Sequence, residues 1–340
     1  PRPSYPADGR KVPDLYSDPP ELRDELQAAL GLFPLFNFWG PTADIRSSTW
    51  IAKASVEVFQ RFSPTLMLVY LPHLDYNLQR LGPDDPRVVN DIREVDAEAG
   101  RLISAAQAAD ADVIVLSEYG ITRTTRPVHI NRILRDAGYL KVRREPLGWE
   151  TLDCGASAAF AVADHQVAHV YVRRAQEIPA VRKLLESVEG VEHVLDHAGQ
   201  AAQGLNHARS GELVAVSGRD AWFTYYFWRD DELAPDYART VDIHRKPGYD
   251  PVELFVDPHL AFPKLRIIRN LLKKKLGFRY YMDVIGLDAQ IVRGSHGRLP
   301  EPERLDTDGP VFLCSSRRIE RDSLHVRDIR NLMLDLQFGA

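Results

Sequence analysis

Apolar residues recur at helical spacing in three stretches of the first third of the chain. Residues 21–30 follow Asp18, Pro19 and Pro20 and stop at Gly31, a capped and proline-primed start with a glycine end. Residues 47–62 carry Ile51, Ala54, Val58 and Phe62 on one face, and residues 85–109 carry Val89, Ile92, Val95, Ala99 and Leu102 or Ile103. Two short apolar runs, 65–71 and 112–116, flank the last of these; they are too short for lone helices and read as strands buried on both faces. Strand, helix and strand in that order make a crossover unit. This predicts an α/β fold with a mostly parallel sheet flanked by helices.

After residue 150 the period shortens. Runs at 158–162, 169–172, 191–194, 212–216 and 221–226 have strand character, and one helix at 179–188 interrupts them. A strand-rich stretch of this kind, 151–245, reads as an inserted cap or subdomain between a first core part, 1–150, and a return to the core, 246–340. The last part holds a strand at 311–314 and a helix at 326–336. The first twenty residues contain six prolines and are expected to form an extended surface arm.

Composition narrows the function classes. The 340 residues carry 43 basic and 48 acidic side chains, a net charge of −5, which excludes nucleic-acid binding driven by bulk positive charge. With 44% hydrophobic and 27% charged residues the chain has enough apolar material for a full core. No apolar run approaches the roughly 20 residues of a membrane span, and the first residues lack the apolar stretch of a signal peptide, so a cytoplasmic protein is expected. Cys154 and Cys314, far apart and without a metal-type spacing, read as buried thiols in a reducing compartment. A homo-oligomer stays open.

Candidate chemistry follows the strand ends, where open sheets bind ligands. The run 65–71 leads to His73, Asp75, Gln79, Gly82 and Pro83, and the run 112–116 leads to Glu118, Tyr119 and Gly120. A third candidate is Gly294-Ser295-His296-Gly297, where flanking glycines let the backbone present one imidazole. Carboxylates and a histidine converging from separate loops suit a divalent cation. Singly, each has a plain alternative as a helix cap or turn residue.

In their order these motifs resemble the nucleotide pyrophosphatase/phosphodiesterase branch of the alkaline phosphatase superfamily. They are Asp75 followed by Gly82-Pro83, the apolar run closed by Ser117-Glu118-Tyr119-Gly120, the stretch 210–216 with Trp222, and Gly294-Ser295-His296-Gly297. The resemblance covers roughly residues 60–335. It implies an alkaline-phosphatase-like fold and hydrolysis of phosphodiester or pyrophosphate bonds in nucleotide-like substrates. In that family two zinc ions flank a Thr or Ser nucleophile that forms a phospho-enzyme. Asp75 and His296 match ligands of one ion, but Gln79 stands where the family has histidine. Glu118 and Tyr119 stand where it has an Asp-His pair on the other ion. No catalytic residue matches within the chain, which opens on Pro1 rather than methionine; the nucleophile and an early Asp are expected upstream. Losing two imidazoles leaves an oxygen-rich set, which favours Mg²⁺ or Mn²⁺ relative to Zn²⁺ as the bound divalent ion. His73 is the better replacement nitrogen, because period two puts it on the side of Asp75 in an extended segment. The other reading is a catalytically degenerate member that binds a phosphorylated metabolite or a protein partner.

Weaker patterns remain. His244, Arg245 and Lys246 sit in a polar loop and are the candidate substrate-binding residues, the two cations to hold phosphate. His165 and His169, like His193 and His197, are four apart in valine-rich surroundings; four residues of strand span about 13 Å, so neither pair is expected to share an ion. Ser157 lacks the strand-to-helix context of a nucleophile elbow. Residues 264–282 carry seven basic and no acidic side chains around Leu265, Ile268, Leu271 and Leu272. The expected arrangement is a solvated basic face over a core-facing apolar stripe, with contact to an anionic membrane or polyphosphate as the alternative.

Overall fold

The computed structural model describes residues 2–7, 10–319 and 321–339. The fold class is α/β. Helices Glu21–Leu30, Ile45–Phe62 and Val88–Ala108 form where periodicity places them. Asp44 caps the second by accepting the backbone N–H of Arg46 at 3.0 Å. This helix packs along Val88–Ala108, with Thr49 donating to Glu98 at 2.8 Å. The proline-rich start pairs Ser4 with Val12 and tucks Leu15 against Phe33 and Leu35.

A four-stranded antiparallel sheet makes the centre, in the order Ala159–Asp164, Val167–Val172, Leu213–Ser217, Val191–Leu195. Ala159, Ala161 and Ala163 on the first strand and Ala168, Val170 and Val172 on the second are buried, the alternation a sheet with one covered face requires. That face packs on an aromatic run, Trp222 to Trp228, whose large side chains are all buried. The resulting core extends from Val128 to Val292, so it draws on all three stretches of the chain separated at 150 and 245.

Several local expectations are corrected. Residues 65–71 form no strand and have no strand partner among the described residues. Ile114–Leu116 and Phe312–Cys314 both form, yet they pair with each other, antiparallel. Parallel pairing among the described strands is confined to Ala221–Phe223 against Arg126–Val128. His73–Leu81, read as a loop, is a helix whose C-terminus Gly82 closes in the left-handed region at φ +86°. Cys154 is exposed and Cys314 part-buried; both are free. The basic helix Pro263–Lys275 faces opposite to expectation: it buries Asn270 and turns its leucines outward. No helix among the described residues is long and apolar enough to cross a membrane.

Candidate functional site

Three loops converge on the first turn of the helix His73–Leu81. Helical geometry, not strand geometry, sets what each residue there faces: His73 and Asp75 lie two positions apart and point to different sides. Gln79, one turn after Asp75, shares its side. The strand pair Gly294–Ser295 with Thr122–Arg123 crosses this helix closely. Arg293 donates its backbone N–H to the Gln79 carbonyl at 2.8 Å, and a Cβ on Gly294 would fall 2.2 Å from the Leu78 carbonyl oxygen. Only glycine permits this approach, which brings the loop carrying His296 up to the helix.

Asp75 accepts the Tyr119 hydroxyl at 3.1 and 2.9 Å through its two oxygens. Burial pushes its carboxyl up; the Tyr119 hydrogen bond and the charge of His165 pull it down, and Glu118 raises it. Tyr119 itself is driven far up by burial and by Asp75, so its phenol keeps its proton. Tyr70 beside them is half exposed, and the partial burial of its phenol with the charges of Asp75 and Glu118 raises it to about 12. The Tyr119 ring stacks on His296, with centroids 3.6 Å apart and planes 1° from parallel. His296 stacks on His165 at 3.9 Å, and His165 leans on Tyr249 at 4.6 Å. Burial and His165 hold the His296 imidazole down at about 2, so it is neutral.

His165 is the residue that sequence spacing missed. It occupies the turn between Ala159–Asp164 and Val167–Val172 at φ +54°, a left-handed conformation that glycine or asparagine ordinarily supplies. Its Nδ1 lies 2.7 Å from Asp164 Oδ1 and its Nε2 3.2 Å from Gln79 Oε1. Both ring nitrogens thus face oxygens. The hydrogen bond from His165 holds the Asp164 carboxyl down. Gln166 donates its backbone N–H to the His296 carbonyl at 2.8 Å, which fixes the turn to the glycine-flanked loop. The Gln79 Nε2 amide is buried and without a hydrogen-bond partner.

The other expected ligands lie elsewhere or point elsewhere. Glu118 is exposed and acts on Asp75 through charge. His73 faces the helix Val88–Ala108, its Nε2 3.0 Å from Glu94 and 3.4 Å from Asp91, while Asn77 donates to both Asp91 oxygens at 2.9 and 3.0 Å. Among the described residues His73, Asp91 and Glu94 are the one such group whose ligand atoms all fall within 4.8 Å of one another. Asp75, Glu118 and His296 form no such group: Tyr119 covers the carboxylate of Asp75, and His296 is sandwiched between two rings. As arranged, these three do not fit a shared divalent ion. Nor is Lys246 free for phosphate, because it is buried at 2.8 Å from both Asp250 and Glu253. Arg245 pairs with Asp236 at 3.0 Å and lies over the Tyr237 ring, and His244 is exposed. A separate cleft of about 450 Å³ is lined by His129, Arg132, Asp231, Arg239 and Asp257, none of them in the ring stack.

The sequence model of the family described as Type I phosphodiesterase / nucleotide pyrophosphatase matches residues 2–250. No curated protein matches the chain. Among solved structures, an inactive form of murine ectonucleotide pyrophosphatase/phosphodiesterase 5 in complex with AMP is 15% identical, covers 84% of this chain and 57% of its own, and has a TM-score of 0.48. The human form of that protein gives the same identity, coverage and TM-score. Phosphonoacetate hydrolase from Sinorhizobium meliloti 1021 with phosphonoformate is 16% identical, with 64% and 52% covered and a TM-score of 0.42. The chain therefore spans little more than half the length of the solved proteins it matches.

Proposed function

The chain belongs to the type I phosphodiesterase / nucleotide pyrophosphatase family, and from that premise we propose that it serves the hydrolysis of phosphodiester or pyrophosphate bonds in nucleotide-like substrates. The observation that carries the reading is the buried, unpartnered Gln79 amide beside His165. A buried N–H without an acceptor is costly, and a phosphoryl oxygen is an acceptor of the right kind. Gln79 and His165 would hold the phosphoryl group from one side. Tyr119, with its proton retained, orients Asp75, which takes the proton of the attacking hydroxyl and passes it to the leaving oxygen. The hydrogen-bond partner of the Asp75 carboxylate is Tyr119, not a serine or threonine.

The cover that Tyr119 places on Asp75 favours a second reading, in which the site binds a nucleotide such as AMP without turning it over. Turnover of a nitrophenyl phosphodiester by the full-length protein, measured beside AMP binding by calorimetry, separates the two. Hydrolysis that drops at least about a hundredfold in Asp75→Ala supports the first. Binding of AMP without turnover supports the second. Neither turnover nor binding ends both.

A further inference from the structure

The helix Pro263–Lys275 plays no part in the ring-stack site. Its inner side is settled by contacts: Asn270 is buried and donates to the Tyr281 carbonyl at 2.8 Å, Arg266 pairs with Asp283, and Lys274 reaches the Lys11 carbonyl at 3.2 Å across the ring of Phe36. The outer side is apolar. Leu265, Ile268, Leu272 and Leu276 repeat at intervals of three, four and four residues, which keeps them on one stripe, and they are 64%, 53%, 55% and 70% exposed. Phe262 and Phe278 stand exposed at the two ends. An apolar stripe is ordinarily the buried side of a surface helix; here it is the side away from the core.

The charges fit the stripe. At 100° per residue, Arg269 and Lys273 flank it on one side and Lys264 and Lys275 on the other. None of these four has an ion pair among the described residues. Between 264 and 282 there is no acidic residue, although the chain as a whole carries −5. Two copies of this face would oppose like charges at every register, which argues against self-association. An apolar centre with lysine and arginine along both edges is what an anionic bilayer accepts: aliphatic and Phe side chains enter the acyl boundary while the long basic stems bend up to lipid phosphates.

We propose that the helix Pro263–Lys275 is a peripheral anchor that lays its Leu265–Ile268–Leu272–Leu276 stripe into the surface of an anionic membrane. The 13-residue helix is about 20 Å long and lies in the membrane plane. It leaves the ring-stack site free, because none of its residues contributes there.

Vesicle flotation tests this with the 340-residue chain. Vesicles of phosphatidylcholine alone are compared with vesicles containing about 30% phosphatidylserine at about 0.15 M salt. The chain is expected to float with the anionic vesicles at least about tenfold better than with the neutral ones, and the double variant Ile268→Gln/Leu272→Gln is expected to lose at least about tenfold. Because these side chains are exposed, the variant should keep the wild-type circular-dichroism melt; if it does not, Leu276→Ser is used in its place. Absence of binding to anionic vesicles overturns the proposal. So does binding that the apolar substitutions leave unchanged, which would mean adsorption through charge elsewhere. A dimer seen by light scattering and dissolved by the same substitutions, without flotation, would assign the stripe to a second copy instead.

Discussion

His165 holds a conformation that a histidine adopts only at a cost of about 1–3 kcal/mol, and its ring is locked by Asp164, Gln79, His296 and Tyr249. Around it, Asp75 is the group whose environment opposes its charge. Burial raises its carboxyl above 3.8, so between 3.8 and the raised value the folded chain binds more protons than the unfolded one. Folding stability from this group is therefore lost as pH rises through that window and stays lost above it. Asp75→Asn should raise the melting temperature at neutral pH while it lowers turnover; a lower melting temperature would contradict the assignment. Tyr119→Phe removes the hydrogen bond that holds Asp75 down, so the Asp75 carboxyl should titrate higher still in a carbon-detected NMR titration. At this scale the sequence pointed to Asp75, Gln79, Tyr119 and His296, because each follows an apolar run or sits between glycines. It hid His165, because a four-residue interval to His169 drew attention to a pair that does not exist. The usable signal was the polar trio 164–166 between two alternating strands, which marks a hairpin turn.

Elements hold these residues in place through contacts that periodicity does not report. Gly294 passes so close to Leu78 that Gly294→Ala must push the strand off the helix; a loss of about 1–3 kcal/mol in urea unfolding is expected. An unchanged midpoint would mean that the crossing is looser than described. Lys246, buried between Asp250 and Glu253, anchors the segment that carries Tyr249. Lys246→Met leaves two buried carboxylates facing each other and should cost about 3–5 kcal/mol, read by the same unfolding curve. The long helices were legible because their apolar stripes repeat over several turns. His73–Leu81 was not: Pro72 and Pro83 bracket it like a loop, and proline at a helix start looks the same as proline in a turn. The stripe of 264–282 was legible as a stripe, but its direction was set by Asn270 and Arg266, whose partners at Tyr281 and Asp283 are tertiary.

On the scale of the whole molecule, apolar surface is unevenly covered. Leu66, Leu68 and Tyr70 alternate with half-buried Met67 and Val69 between the helices Ile45–Phe62 and His73–Leu81 and are 60%, 79% and 53% exposed. A row of this kind with unpaired backbone is a template for strand addition. The 340-residue chain should therefore associate as concentration rises, and Leu68→Lys should reduce that association in dynamic light scattering; association unchanged by the substitution would shift the cause to another patch. The expectation of a strand at 65–71 rested on composition, whereas a strand also needs a neighbour. Family membership, the α/β class and the site's position at the start of His73–Leu81 together make Asp75 the centre of the account. Its most direct test is the turnover number of the full-length protein on a nitrophenyl phosphodiester, wild type against Asp75→Ala. The account predicts measurable turnover that falls at least about a hundredfold in the variant. Turnover that is the same in both would contradict it.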